Sequence, residues 1–200
     1  MERKFIWIRH ANKQYCNGEA PYGFHHHDSP IKEESEEDII EKTISLVKIH
    51  GFPTKIIFSP FLRTRQTKDV MLQELKEIDK KKFTNIQTEC DTDICEFLGF
   101  QKPSGIIADV QKETNSYFDT DITLGESLKH LNFRIKNHLT KLQLKDKKNE
   151  IVWIITHGLI LNNIYYNLCK KNLSFRFSPL SHVEYTYSFY NERETIDYEL

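Results

Sequence analysis

Three uninterrupted apolar runs constrain the fold of this chain more than any other feature. Phe5-Ile6-Trp7-Ile8 leads into Arg9-His10; Ile56-Ile57-Phe58 leads into Ser59-Pro60, with Arg63 and Arg65 just beyond. Ile151-Val152-Trp153-Ile154-Ile155 leads into Thr156-His157-Gly158. A short run without polar alternation reads as a strand buried on both faces, as in parallel sheets covered by helices on each side. The predicted fold class is α/β: a three-layer α/β/α sandwich with a mostly parallel central sheet, in which Trp7 and Trp153 are core residues. In open sheets of this kind ligands sit beyond the carboxyl ends of the strands. Two histidines and at least two arginines delivered to one rim predict an anion site.

The bulk properties narrow the classes further. Two hundred residues fit a single domain, 1–200, with an irregular insertion at about 83–122, where periodicity is weak and Gly99, Pro103 and Gly105 interrupt the chain. A formal charge of −1 gives no basic surface for nucleic acid or an anionic membrane. Met1-Glu2-Arg3-Lys4 runs into an apolar stretch far too short for a signal peptide core or a membrane span. Cys16, Cys90, Cys95 and Cys169 form no Cys-x-x-Cys pair. Reduced thiols and a cytoplasmic location are the expectation.

Apolar spacing places the helices. Ile40, Ile44 and Val47 predict a helix ending at His50-Gly51, with Glu33, Glu34, Glu36, Glu37 and Asp38 crowding its positive end. Met71, Leu75 and Ile78 predict a second, fading into Lys80-Lys81-Lys82. Thr123 and Glu126 fit a capping box ahead of Leu128, Leu131, Ile135, Leu139 and Leu142, the strongest helical pattern here. Leu161, Ile164, Tyr165 and Leu168 mark the last helix. Val183 to Tyr190 reads as a strand followed by a short edge strand, and residues 12 to 30 read as a long loop.

The residues at the strand ends suit phosphoryl chemistry. Arginine presents a planar fork of donors to phosphate oxygens and stays charged at any working pH. A neutral imidazole is a sensible nucleophile toward a dianionic phosphoryl group, which repels anionic attackers. Donors around the equatorial oxygens do most of the catalytic work, and the leaving oxygen needs an acid but no metal.

Arg9-His10-Ala11, Ser59-Pro60-Phe61-Leu62-Arg63-Thr64-Arg65-Gln66-Thr67 and Thr156-His157-Gly158 resemble, in order and spacing, the signatures of the histidine phosphatase superfamily, whose fold is phosphoglycerate mutase-like. Asp28-Ser29-Pro30-Ile31 resembles the family's Asp-x-Pro-Leu step, and Gly125-Glu126-Ser127 with Arg134 its Gly-Glu-Ser helix start. The resemblance implies a phosphomonoester hydrolase working through a phosphohistidine without metal or cofactor. It makes His10 the nucleophile, with Arg9, Arg63 and His157 clamping phosphate oxygens. Asn12 is a further candidate for a phosphate hydrogen bond. Ile94-Cys95-Glu96-Phe97-Leu98 looks like the acid-bearing step of the Sts-type phosphatase domains, which assigns Glu96 as proton donor; Asp91, Asp93 and Asp109 are rivals. Two positions depart from the family pattern. Ala11 stands where Gly is usual, which puts a methyl near the phosphate, and Ser35 replaces a frequent Gly outside the site.

Two alternatives stand beside hydrolysis. The first is mutase-type phosphoryl transfer, disfavoured because no basic residue follows Glu96 before Lys102. The second is a catalytically silent binding or scaffold member. His25-His26-His27 reads as exposed loop, with a metal patch or a substrate-facing rim as other readings. Arg65 reads as a surface helix residue. Tyr15, Tyr22, Phe24, Phe97 and Phe100 are candidates for an aromatic mouth. The expected partner is a phosphorylated small molecule or a phosphoprotein, with no nucleic acid and no membrane, and the C-terminal edge strand offers a surface for homodimerisation.

Overall fold

A computed structural model describes residues 2–15, 21–22, 28–98, 127–144, 149–170, 177–188 and 193–199. Six strands form one sheet: β1 (Glu2–Arg9), β2 (Lys55–Phe58), β3 (Gln87–Cys90), β4 (Glu150–Thr156), β5 (His182–Ser188) and β6 (Arg193–Glu199). Their order is β3-β2-β4-β1-β5-β6, with β1 to β4 mutually parallel and β5 and β6 antiparallel on one side. The mostly parallel sheet expected from the three apolar runs is present.

Those runs are continuous because each strand feeds two cores. Phe5, Trp7, Ile57, Val152 and Ile154 point to one face, where they meet α4 (Leu128–Leu144) and α5 (Gly158–Cys169) through Leu131, Ile135, Leu161 and Ile164. Ile6, Ile8, Ile56, Phe58, Trp153 and Ile155 point to the other, against α1 (Ser35–His50) and α2 (Leu62–Ile78) through Ile39, Leu46, Met71 and Leu75. Successive strand residues alternate between the faces, so a strand with helices on both sides has no polar positions. Trp7 and Trp153 are both buried.

The α1 stripe differs from the expected one. Its buried residues are Ser35, Ile39, Thr43 and Leu46, whereas Ile44 is exposed. Two positions of the buried face are hydroxyl residues. The Thr43 hydroxyl donates to the Ile39 carbonyl at 2.7 Å, so it carries its own partner into the core. Apolar periodicity alone therefore lands one residue out of phase. Ser35, where the family often has Gly, is buried at the first turn of α1.

Within the segment expected to be irregular, Gln87–Cys90 is a strand paired to β2 from Lys55↔Gln87 to Phe58↔Cys90. It is a polar edge strand, held by backbone pairing, and so lacks any apolar alternation. The lysine run expected to end the second helix forms α3 (Lys80–Phe83), capped by the Asp79 carboxylate, which accepts from the Lys81 and Lys82 amides. The final strand β6, Arg193–Glu199, is the sheet's edge as expected, but at 7 residues it is as long as β5 and not short. The capping box at Thr123 and Glu126, the Gly125-Glu126 step, Gly99, Pro103, Gly105 and His25-His26-His27 lie outside the described residues. No helix among the described residues is long and apolar enough to cross a membrane.

Candidate active site

Sheet register assembles the site. Arg9 pairs with Thr156 and Phe58 with Ile155. The residues just past these ends, His10, His157 and Ser59, therefore emerge side by side on the carboxyl rim. The His10 and His157 rings lie 5.3 Å apart, edge to face, and both are buried. Arg63 comes from the first turn of α2, which starts where the chain turns off the end of β2.

Hydrogen bonds assign the protons. His10 Nδ1 lies 2.6 Å from the Ala11 carbonyl oxygen. A carbonyl only accepts, so Nδ1 carries the hydrogen and Nε2 keeps its lone pair. Arg63 Nε donates to that Nε2 at 3.1 Å. Arg63 Nη2 reaches His157 Nδ1 at 3.2 Å, and guanidinium only donates, so this nitrogen accepts. His157 Nε2 then donates to Ser59 Oγ at 2.8 Å. One guanidinium thus spans the lone pairs of both imidazoles. Arg9 donates to the Phe177 carbonyl.

Of the candidate acids, Glu96 reaches this cluster. Its Oε2 is 3.3 Å from Arg63 Nη2 and 3.4 Å from His157 Nδ1. Asp91 instead accepts from His138 Nδ1 at 2.8 Å, while Trp7 Nε1 donates to His138 Nε2 at 3.2 Å. Asp93 pairs with Lys141. Asp109 lies outside the described residues. The backbone that carries Glu96 is pinned by the Thr156 hydroxyl on the Ile94 carbonyl at 2.8 Å and by Arg134 on the Asp93 carbonyl. Asn12 is exposed, and among the described residues no side-chain hydrogen bond joins it to the cluster.

Two contributors escaped sequence reading. Asp28 accepts from the Leu62 amide at 2.7 Å and lies 3.6 Å from Arg63 Nη1. It caps the start of α2 and braces the arginine from behind; in the sequence it is visible only as part of a family step. Lys13 is half-buried and stands over the Tyr15 ring at 4.4 Å. Burial, with the Arg63 charge next, lowers its pKa. No pattern marks a single loop lysine as part of a cationic cradle.

The Ala11 methyl does not crowd the site. Ala11 packs with Ile6, Ile8 and Ile39 in the core under α1 and α2, and its amide donates to Thr67 Oγ1 at 3.1 Å. The expected aromatic mouth also changes. Phe97 packs against the core on the α4 and α5 face, Tyr15 and Tyr22 are exposed, and Phe24 and Phe100 lie outside the described residues.

The sequence as a whole matches the family model of the histidine phosphatase superfamily (branch 1) over residues 5–193. The chain belongs to this superfamily. It is thereby a phosphoryl-transfer enzyme of the phosphohistidine type, phosphatase or mutase-like. No curated protein matches it by sequence. Among solved structures it is similar to mycobacterial glucosyl-3-phosphoglycerate phosphatase, at 18% identity and a TM-score of 0.62, covering 99% of this chain and 98% of that one. The same phosphatase complexed with VO3 gives 17% identity and a TM-score of 0.62, covering 99% and 98%. A phosphoglycerate mutase from Bacillus anthracis gives 16% identity and a TM-score of 0.68, covering 99% and 92%. At these identities the likeness establishes the phosphoglycerate mutase-like fold. It does not single out the Sts-type branch.

His10, Glu96 and His157 of this superfamily member present ligand atoms within 4.8 Å of one another, a spacing that would admit a metal ion. The fixed positive charge of Arg63, whose guanidinium lies 3.1 Å from His10 Nε2 and 3.2 Å from His157 Nδ1, opposes a divalent cation there.

Gly158 sets how closely Arg9 approaches. A Cβ at this position would lie 3.2 Å from Arg9 Nε and 3.4 Å from its Cζ. Gly158→Ala is expected to push Arg9 off its station and lower kcat/KM by roughly 10-fold, mostly through KM, while the melting temperature stays nearly constant. Unchanged KM for a phosphomonoester would show that Arg9 does not need this approach.

The titration of the buried histidines has a definite sign. Burial first, and the Arg63 charge second, hold His10 and His157 well below 6.5. At the start of β5, burial and then Lys42 lower His182 to about 4. Below pH 6.5 the unfolded chain takes up protons that the folded chain refuses, so stability falls as pH drops from 6.5 toward 4. The melting temperature is expected to be level above pH 6.5 and to decline steadily beneath it. A rise over that window would contradict these environments. The acid limb of kcat/KM from the free enzyme is likewise expected below pH 6.5, because both imidazoles remain neutral there.

Proposed function

We propose that the chain is a metal-independent phosphomonoester hydrolase with His10 as nucleophile and Glu96 as proton donor. The observation that carries this reading is the His10 Nδ1 to Ala11 carbonyl bond at 2.6 Å, which leaves the Nε2 lone pair beside Arg63. A phosphoryl group entering between His10, Arg63, His157 and Arg9 draws the Arg63 donors from the imidazole onto its own oxygens, and so meets a neutral attacker and three groups able to stabilise those oxygens. Nε2 bonds to phosphorus as the bond to the leaving oxygen breaks, and the Glu96 carboxyl gives a proton to that oxygen. The Glu96 carboxylate then takes a proton from water, whose oxygen displaces Nε2 and releases phosphate. His157, buried and neutral before substrate arrives, becomes a donor once the anion raises its proton affinity.

Hydrolysis is favoured over mutase transfer because Phe97-Leu98-Gly99-Phe100 follows Glu96 without a basic residue until Lys102. A phosphorylated small molecule is the expected substrate, in the cytoplasm, without nucleic acid or membrane; a phosphoprotein is the alternative. Retained turnover in EDTA would accord with metal independence.

Glu96→Gln tests the acid assignment. Its loss is expected to be about 10²-fold or more on an alkyl phosphate and at least ten times smaller on p-nitrophenyl phosphate, whose leaving group departs without a proton. Equal losses on the two would remove Glu96 from that role.

A further inference from the structure

Glu96 follows a short turn that is held from two directions. The turn, Thr92–Ile94, opens on Asp91, whose Oδ1 accepts from the Asp93 amide at 2.8 Å. The Asp91 amide donates to the Phe58 carbonyl at the end of β2. One side of α4 grips the same turn. Arg134, His138 and Lys141 follow at intervals of four and three, which puts them on one helix face. Arg134 donates to the Asp93 carbonyl at 2.5 Å, His138 Nδ1 to Asp91 Oδ2 at 2.8 Å and Lys141 to Asp93 Oδ2 at 2.5 Å. Ile94 and Cys95, between this grip and Glu96, are fully buried, so where the turn sits decides where the carboxyl sits.

His138 differs from the two cations beside it. Its side chain is buried, and Trp7 Nε1 donates to its Nε2 at 3.2 Å. Indole only donates, so Nε2 holds the lone pair and Nδ1 the hydrogen that goes to Asp91. Trp7 lies on β1, three residues before His10. The contacts from Trp7 through His138 to Asp91 therefore join the strand that ends at the attacking imidazole to the turn that leads to the acid. Apolar residues in this space would avoid desolvating an imidazole and a carboxylate. Hydrogen bonds add direction, which interchangeable apolar surfaces supply less tightly. Direction matters here, because a misplacement of about 1 Å can cost about 10²-fold in rate.

We propose that Trp7, His138 and Asp91 form a positioning relay that sets the Glu96 carboxyl against the leaving oxygen, gauged from the strand that delivers His10. The relay rests on the assignment of Glu96 as proton donor above.

The test compares propyl phosphate, whose leaving oxygen needs a proton, with p-nitrophenyl phosphate, whose leaving oxygen does not. His138→Phe keeps a ring of similar size and removes both hydrogen bonds. It is expected to lower kcat on propyl phosphate by about 10- to 100-fold and on p-nitrophenyl phosphate by less than about threefold. His138→Asn, whose amide can still donate to Asp91, should recover most of that loss. In a Glu96→Gln background His138→Phe should cost less than about threefold more on propyl phosphate, because no acid remains to be placed. Asp91→Asn, which removes one acceptor from the far end of the relay, carries the same expectation if His138→Phe folds poorly. Equal losses on the two esters in a folded variant, no loss on either, or full additivity with Glu96→Gln would overturn the relay. Glu96→Gln alone separates the two failures. If it selectively slows propyl phosphate while the relay variants do not, the relay falls and the acid stands. If it slows both esters alike, the acid assignment falls and takes the relay with it.

Discussion

Replacing His10 by alanine is expected to reduce hydrolysis of p-nitrophenyl phosphate by about 10⁴-fold or more in kcat, the largest loss of any single change in this chain. The size follows from the route. Without the imidazole no covalent intermediate forms, and water must attack the phosphoryl group directly among donors arranged for a different nucleophile. The role is specific to Nε2. His10 Nδ1 is tied to the Ala11 carbonyl at 2.6 Å, and burial and Arg63 keep the ring neutral, so only Nε2 has a lone pair facing the cradle. The comparison runs on folded protein, checked by its melting curve, with vanadate inhibition of the wild type as a control on the site. A His10→Ala enzyme retaining more than about a hundredth of the activity would show that His10 is not the attacker.

Arg63 comes next. Its guanidinium is buried and lies within 3.6 Å of four groups: His10, His157, Glu96 and Asp28. Arg63→Ala removes the central phosphate donor, for which losses of about 10³- to 10⁵-fold in kcat/KM are typical of a transition-state arginine. It also strands the buried Asp28 carboxylate and leaves Glu96 without its cation. The variant should lose about 3–5 kcal/mol of stability as well, seen as a lower denaturant midpoint. Arg63→Lys separates charge from shape. An ammonium keeps the positive charge but cannot span two imidazoles and two carboxylates, so about a 10²-fold loss is expected even with the charge preserved. An Arg63→Lys enzyme with more than a tenth of wild-type kcat/KM would mean that bulk positive potential, not the fork, does the work.

The strand ends were legible because burial on both faces writes itself as unbroken apolar runs, and the residue after each run is where an α/β sheet presents chemistry. That much pointed to His10 and His157 as rim residues; their roles, and the choice of Arg63 over Arg65, came from the family resemblance. The helix faces were less legible wherever polar residues occupy the core. Thr43 and Ser35 shift the apparent stripe of α1, and Arg134 and His138 on α4 are buried while engaging Asp93 and Asp91. A hydrophobic pattern cannot anticipate a buried polar group that brings its own partner. Strand β3 was hidden because an edge strand needs backbone partners rather than apolar side chains. Asp28 and Lys13 were hidden because their parts in the site depend on distant chain segments. Glu96 was singled out in sequence only by the family resemblance; the coordinates add a physical reason to set Asp91 and Asp93 aside, since His138 and Lys141 claim them.

The central claim is a covalent bond between His10 and phosphorus, and rapid quenching tests it most directly. Wild-type enzyme mixed with a phosphomonoester, stopped in alkali on the millisecond scale and analysed by peptide mass spectrometry, should carry one phosphoryl group on His10, with ³¹P resonance typical of attachment at Nε2. A phosphoryl group found on His157 or on a carboxylate, or steady turnover with no phosphoenzyme at any time point, would contradict it.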